Sequence, residues 1–201
     1  MATPKAKFAD LALVVALCAG LLLGLTAPAW AGLDEGVAAY ERGDYATALR
    51  ELRPLAKQSH AKAQFFLGFM YKYGLGVPQD VAEAVKWFRK AAEQGDADAQ
   101  YNLAQMHIIG AGIPQHYGEA MRWYRKAAEQ GNANAQNNLG GMYRHGYGVA
   151  EDFVLAHMWY NLAAAQGNFG SSGQRDIVAM KMTPAQISEA QKLAREWRPK
   201  K

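Results

Sequence analysis

The chain has 201 residues, with 22 Lys and Arg against 18 Asp and Glu, and one cysteine, Cys18. A net charge of +4, spread along this length, does not predict the basic patch on which nucleic-acid binding depends. A single cysteine excludes an internal disulfide, so we expect packing alone to stabilise the fold.

Residues 1–31 have the layout of a secretory signal peptide. Lys5 and Lys7 precede an apolar run over 11–25, and small residues surround a cleavage site after Ala31. The alternative is an uncleaved membrane anchor, but about 15 apolar residues fall short of the roughly 20 that span a bilayer. We therefore predict cleavage, a periplasmic or secreted location, and no membrane span in the mature chain.

The central part of the chain consists of three consecutive units of 36 residues: 60–95, 96–131 and 132–167. Read in register, 13 of the 36 positions carry the same residue in all three units. Self-similarity at this period predicts stacked helical units, each burying an apolar face against the next. The identical positions include Ala63/Ala99/Ala135, Gln64/Gln100/Gln136, Leu67/Leu103/Leu139, Met70/Met106/Met142, Trp87/Trp123/Trp159 and Gly95/Gly131/Gly167.

Each unit predicts two antiparallel helices. In the first unit, helical spacing of small and apolar residues indicates one helix over about 61–73 and a second over about 80–93. Gly74 and its equivalents suit the left-handed end of the first helix. In the second helix, Trp87 and Phe88 lie between alanines, and we expect the indole to fill the gap between units. Asp96, Asn132 and Asn168 are predicted to cap successive first helices.

The flanking segments are predicted to cap the two ends of the stack. Residues 32–59 indicate a further helix pair, whose second helix aligns with the second helices of the repeats. Residues 168–201 indicate a degenerate first helix and then a C-terminal capping helix over about 184–197. Thr183, Pro184 and Gln186 form the capping-box pattern at the start of this last helix.

The repeated pattern Ala-x-Ala-Gln-x-x-Leu…Met-Tyr…Gly-x-Gly-Val-Pro-Gln-Asp…Ala…Trp-Phe-Arg-Lys-Ala-Ala-Glu-Gln-Gly resembles the Sel-like repeats, a family related to the tetratricopeptide repeats. The resemblance implies an all-α, right-handed superhelical solenoid of antiparallel helix pairs, with first helices along the concave face. It also implies an adaptor or scaffold role, often in exported bacterial proteins. A cysteine-rich branch carries a β-lactamase label, but this chain lacks the paired cysteines of that branch.

Motifs that suggest catalysis have simpler explanations. Ser59 and Lys62 match the Ser-x-x-Lys pattern of β-lactamases, but neither Ser-Asp-Asn nor Lys-Thr-Gly accompanies them. Ser59 aligns with Gly95 and Gly131, which indicates a helix end, and a helix-capping role for the serine. The five histidines show no metal-ligand spacing. We predict no catalytic residue, cofactor or metal, and keep a β-lactamase-like or cell-wall hydrolase as the alternative.

Positions that differ between the repeats lie opposite the predicted buried stripe of the first helices, where a binding groove would form. Amides there would hold an extended peptide backbone, and aromatic rings would anchor it. The alternative is that the aromatics pack under the N-terminal cap. We predict a monomer that binds a protein or peptide in this groove and binds no nucleic acid. The predicted groove residues are Phe66, Phe69, Tyr73, Asn102, Gln105, Asn138 and His145.

Overall fold

The computed structural model describes the backbone of residues 29–200 and the side chains of residues 32–200. The predicted signal peptide, with Cys18, lies outside the residues whose side chains are described. Ten helices make up the described part of the chain. They are α1 (Ala29–Glu41), α2 (Tyr45–Lys57), α3 (Ala61–Tyr73), α4 (Val81–Glu93), α5 (Ala97–Ile109), α6 (Tyr117–Glu129), α7 (Ala133–His145), α8 (Phe153–Ala165), α9 (Ser171–Ala179) and α10 (Pro184–Glu196).

The helices pack as consecutive antiparallel pairs. Each first helix contacts its own second helix, and each second helix contacts the first helix of the next pair. No strand occurs within 29–200, and no helix there is both long and apolar enough to cross a bilayer. The predicted all-α solenoid of consecutive helix pairs is confirmed. We call the surface formed by the first helices the inner face, and that formed by the second helices the outer face.

Caps at the helix ends explain why each helix begins and ends where it does. Asp96 and Asn132 accept the backbone N–H of the third residue of α5 and α7, as predicted. Gly74 ends α3 in the left-handed conformation, with φ of 69°. The prediction for Asn168 is wrong, because α9 begins only at Ser171. The Asn168 side chain accepts the Ser171 hydroxyl instead of a backbone N–H.

The core lies between the first and second helices of each pair. Ala63, Leu67 and Met70 form the buried stripe that the sequence predicted for α3. On α4 the fully buried ring is Phe88, whereas Trp87 is only partly buried. The indole therefore fills the gap between units less completely in the first repeat than expected. Trp123 and Trp159, its equivalents, are buried at 4% and 7% exposure.

The second glycine of each repeat's turn lies against the second helix of the preceding pair. A Cβ on Gly112 would lie 2.9 Å from the Val81 carbonyl oxygen, and one on Gly148 would lie 2.7 Å from the Tyr117 carbonyl oxygen. Both positions have left-handed backbone, with φ of 69° and 72°. These glycines are therefore contact points between repeats as well as turn residues.

Buried glutamines connect successive pairs through a repeated hydrogen-bond pattern. Gln100 donates from Nε2 to the Ala92 carbonyl oxygen at 3.1 Å, which satisfies an end carbonyl of α4. Its Oε1 accepts from Gln130 Nε2 at 2.8 Å. We call this arrangement the glutamine relay, and it recurs at Gln64 and Gln136 with equivalent partners. The relay gives a physical reason for a polar residue at an otherwise buried position.

Helix α10 closes the C-terminal end of the stack by packing on α8. The Trp197 ring contacts the Trp159 ring edge to face, with centroids 6.4 Å apart. Beyond the helix, the Lys200 ammonium lies 2.8 Å from the Glu129 carboxylate. Helix α8, which α10 covers, carries no charged residue, whereas the second helices α4 and α6 do.

His107 is buried at a position that Tyr71 and Tyr143 occupy in the other repeats. Its Nδ1 has no hydrogen-bond partner, and burial lowers the pKa of the side chain below 6.5. In the third repeat the equivalent Tyr143 hydroxyl accepts a hydrogen bond from Arg125 at 2.7 Å. Arg89 holds the equivalent arginine position beside His107 and further lowers its pKa. The protein therefore folds with this imidazole neutral.

We expect stability to fall as the pH drops through the ordinary histidine range. The unfolded chain binds the proton near pH 6.5 while the folded chain does not, so acid favours unfolding. His107→Tyr should reduce this loss, since tyrosine stays neutral and offers Arg89 an acceptor. Urea unfolding at about pH 7.5 and about pH 5.5 measures the change in the free energy of unfolding between the two pH values. An exposed-site control, His145→Gln, should keep the wild-type dependence. The same dependence in His107→Tyr would contradict the explanation.

Candidate binding groove

The inner face has an open cavity of about 370 Å³ between the second and third repeats. It lies among α5, α7 and α9, and rings from α6 and α8 form part of its lining. Three of the predicted groove residues, Gln105, Asn138 and His145, line it. The remaining lining residues are Ile108, Tyr124, Asn137, Gly141, Met142, Tyr147, Tyr160 and Gln174.

The cavity exists because one repeat position loses its side chain along the solenoid. This position is Phe69 in the first repeat, Gln105 in the second and Gly141 in the third. Phe69 packs edge to face on Phe88, with centroids 5.6 Å apart, and fills the space there. A Cβ on Gly141 would lie 3.4 Å from the Tyr160 hydroxyl, so the glycine leaves that hydroxyl accessible.

The polar groups inside the cavity are amides and phenols, and the His145 imidazole lies at its edge. Asn138 donates from Nδ2 to the Tyr124 hydroxyl at 3.1 Å. Burial raises the pKa of Tyr124 and of Tyr160 above the ordinary value of 10, so both remain protonated at physiological pH. Gln105 donates to the Tyr101 hydroxyl at 2.5 Å, which fixes its amide. The cavity therefore offers fixed hydrogen-bonding groups without a carboxylate.

Two exposed rings form one edge of the cavity, and a third ring, Tyr117, stacks beside them. His145 stacks on Tyr147 with ring centroids 5.4 Å apart, and Tyr147 stacks on Tyr117 at 5.2 Å. Tyr147 is 48% exposed, so its outer face is available for contact. The stack joins the turn after α7 to the start of α6, and thereby positions the rim across two repeats.

The three predicted aromatics of the first repeat lie apart from the cavity. Phe66 packs edge to face with Tyr40 of the N-terminal cap at 5.0 Å, which matches the alternative that the sequence left open. Phe69 packs on α4, and its ring also contacts Tyr73 at 5.5 Å. Tyr73 is 54% exposed and is the one ring of the three that faces solvent. They form an aromatic cluster at the cap end of the inner face.

Asn102 is buried, so the predicted use of its amide to hold a peptide backbone is corrected. It is 6% exposed and donates from Nδ2 to the Asp98 carbonyl oxygen of its own helix at 2.9 Å. Its Oδ1 accepts from Lys72 Nζ at 3.5 Å. The position lies on the boundary between the buried stripe and the inner face, and in this repeat it turns inward.

Several cavity residues were absent from the predicted groove. Tyr124 and Tyr160 follow the repeated tryptophans, at the position that Phe88 occupies in the first repeat. Tyr147 is a turn residue, and Gln174 belongs to the degenerate helix. The available signal was the series Phe69, Gln105, Gly141, because a decrease in side-chain size at one repeat position predicts an opening.

Ser59 and Lys62, the residues that suggested a β-lactamase-like enzyme, lie at the end of α2 and on α3. Ser59 is exposed in left-handed backbone with φ of 68°, so it ends α2 as the aligned glycines end their helices. The helix that follows has no side-chain cap, so a capping role for Ser59 is not observed. Lys62 lies on α3 with its ammonium 3.2 Å from the Asp98 carboxylate. Within the described residues no group of three or more His, Cys, Asp or Glu side chains is arranged to hold a metal ion.

Comparison with known proteins matches this architecture. A Sel1 repeat protein from Oxalobacter formigenes is 40% identical, with a TM-score of 0.61, over 64% of this chain and 97% of that one. The c5321 protein, a protective antigen of uropathogenic Escherichia coli displaying an SLR fold, is 29% identical with a TM-score of 0.57. That match covers 76% of this chain but only 40% of c5321. No curated protein matches the chain.

The family model for the Sel1 repeat matches residues 61–96, 97–132 and 133–168. These three matches together account for more than half of the 201 residues. They coincide, with a shift of one residue, with the repeats read from the sequence, and with the helix pairs α3–α4, α5–α6 and α7–α8. The chain therefore belongs to the Sel1 repeat family, whose members are generally protein-interaction scaffolds.

Proposed function

We propose that this protein is a non-enzymatic scaffold of the cell envelope, which binds an extended segment of a partner protein along its inner face. The observation that supports this most directly is the cavity at Gly141, an opening in a surface that Phe69 fills in the first repeat. A pocket with fixed polar groups and aromatic edges accepts a partner side chain without reordering the host.

The chemistry of the cavity indicates an uncharged or acidic anchor on the partner. Tyr124 and Tyr160 are neutral phenols, and the Asn138 amide is held by one of them. An apolar or amide side chain would satisfy these groups. A carboxylate would in addition meet the Arg144 guanidinium, which donates to Gln174 and partly offsets the effect of burial on the pKa of Tyr160. The stacked rings of His145 and Tyr147 would contact the partner segment as it leaves the cavity.

The envelope location rests on the sequence of residues 1–31, which have the pattern of a cleaved signal peptide. Removal of that segment would leave a chain without cysteine, which suits an oxidising compartment. N-terminal sequencing of the protein from the periplasmic fraction tests the location. A mature chain that begins at Gly32 is expected.

The inner-face proposal is tested by filling the cavity. Gly141→Leu would occupy it, and a photo-crosslinking amino acid at exposed position 145 would report the partner in cells. We expect a specific crosslinked species in the wild-type background and its loss in Gly141→Leu. Gly173→Leu is the matched control, because a Cβ at that helical glycine meets no atom within 4 Å. Crosslinks that persist in a correctly folded Gly141→Leu protein would refute binding at the cavity.

A further inference from the structure

The outer face carries basic side chains that recur from one second helix to the next. Arg50, Lys86 and Arg122 occupy one repeat position on α2, α4 and α6, and a second position one turn later is also basic in all three helices. These side chains are exposed. The structure therefore collects much of the positive charge, which seemed dispersed in the sequence, into rows across three helices. The second row is Arg53, Arg89 and Arg125, with Lys90 and Lys126 beside it.

Much of this charge has no carboxylate partner. Within the described residues, the first row is paired on its own helices, for example Lys86 with Glu83 at 2.8 Å. Arg125 donates to the Tyr143 hydroxyl, a neutral acceptor. The remaining cations lie more than 4.0 Å from every described carboxylate, and two of them rest on tryptophan rings. These unpaired cations are Arg53, Arg89, Lys90 and Lys126.

A shallow apolar hollow lies between the cations on each of these helices. The largest, about 500 Å³, is on α4, where Ala82, Val85 and Ile113 form its apolar part. Its rim carries three cations, Lys86, Arg89 and Lys90, together with two carboxylates of the same helix, Glu83 and Glu93. Hollows of about 390 Å³ on α2 and about 300 Å³ on α6 are lined from equivalent repeat positions. The same combination of an apolar floor and a rim with more cations than carboxylates thus occurs three times.

Helix α8, the second helix of the third repeat, shows what packs on this kind of surface. On α8 the positions equivalent to Lys86 and Lys90 are Met158 and Leu162, and Met158 is 6% exposed. The helix that packs on α8 and has no counterpart on α4 or α6 is α10. Its buried positions, Ala190 and Ala194, are spaced one turn apart. An amphipathic helix is therefore a ligand that this fold accommodates on a second helix.

We propose that the outer face of α4 and α6 binds an acidic amphipathic helix of a partner protein. Its apolar side would lie in the hollow at Val85 and Ile113, and its carboxylates would pair with Arg89, Lys90 and Lys126. Lys86 and Lys90 occupy the positions that are apolar on α8, so a helix that packs on α4 needs acidic side chains opposite them. This second site is separate from the inner-face cavity.

An acidic helix explains the hollow better than a lipid surface or a polyphosphate does. Phosphates would use the cations alone and would leave the apolar floor exposed. A helix with apolar residues at i, i+3, i+4 and i+7 buries them between the cations. The two halves of the surface, basic rim and apolar floor, then have one common partner.

Fluorescence anisotropy with a labelled synthetic helical peptide tests the proposal. The probe has leucines at those spacings and glutamates elsewhere, and a second probe replaces the glutamates with lysines. We expect saturable binding of the acidic probe only, weakened at least tenfold by Arg89→Glu/Lys90→Glu. Raising the salt from about 0.05 M to about 0.5 M should weaken it further. Lys181→Glu/Lys192→Glu, with the same change in charge on exposed residues elsewhere, should bind as the wild type does.

Several outcomes would overturn the proposal. A scrambled acidic peptide that binds as tightly would show attraction by charge alone. Stronger binding to phosphatidylglycerol vesicles or to a DNA duplex, lost in the same double variant, would assign the cations to phosphate. No binding of the acidic probe would also refute it. Gly141→Leu should leave the peptide affinity unchanged, which separates this result from a failure of the inner-face proposal.

Discussion

Trp123→Ala is expected to lower the free energy of unfolding by about 3–5 kcal/mol, the range for deleting a buried tryptophan. Trp123 is 4% exposed in the cluster that joins the second and third repeats. The Arg122 guanidinium and the Lys126 ammonium lie 4.8 and 4.7 Å from its ring centroid. The substitution removes the packing of the indole and this cation–π contact together. Urea unfolding followed by circular dichroism measures the change.

Trp87→Ala is the control for this first prediction. It is the same substitution one repeat earlier, but Trp87 is only partly buried and its Nε1 lacks a hydrogen-bond partner. Because less apolar area is lost from the core, we expect roughly half the effect of Trp123→Ala. Equal losses at the two positions would show that burial is not the cause.

Gly148→Ala is expected to destabilise the protein by about 2–5 kcal/mol. The left-handed φ of 72° costs an alanine about 1–2 kcal/mol. The new Cβ would also lie 2.7 Å from backbone atoms of Tyr117, and relieving such an overlap costs about 1–3 kcal/mol more. Backbone atoms at the start of α6 cannot rotate away as a side chain would. Thermal and urea unfolding measure the loss.

Gly146→Ala separates the two contributions. Its φ of 69° imposes the same backbone strain, but the nearest atom to a Cβ there, the Val149 carbonyl oxygen, is 3.4 Å away. We expect only the smaller loss of about 1–2 kcal/mol. If both variants lose the same stability, the contact between repeats at Gly148 contributes nothing. Gly148→Ala should also disturb the stacking of Tyr147 on Tyr117, and with it the rim of the cavity.

The helices were predictable because the same physical requirements recur every 36 residues. Asp96 and Asn132 cap, Gly74 and Gly110 end a helix in left-handed backbone, and Leu67 returns in register as a buried residue. Each of these signals depends on neighbours close in the chain. Repetition then extends the inference from one unit to its copies.

The candidate site was less predictable because it depends on differences between the repeats. The cavity follows from a side chain that is absent at Gly141, and its depth depends on Tyr160 of another helix. Asn102 lies on the boundary of the buried stripe, where a small rotation of the helix decides between core and surface. Asn168 has the residue type of a cap, but Gly170 and Ser171 delay the helix that it was expected to begin.

The glutamine relay makes the junctions between neighbouring repeats chemically equivalent. A duplicated 36-residue segment inserted in frame between the second and third repeats would therefore form the same glutamine hydrogen bonds at both of its junctions. Unequal recombination can lengthen or shorten such an array without new compensating mutations. The constraint lies at the terminus, since only α8 has the uncharged surface that α10 covers. The glutamine amides and the glycine contacts at Gly112 and Gly148 therefore make the internal junctions of this chain interchangeable.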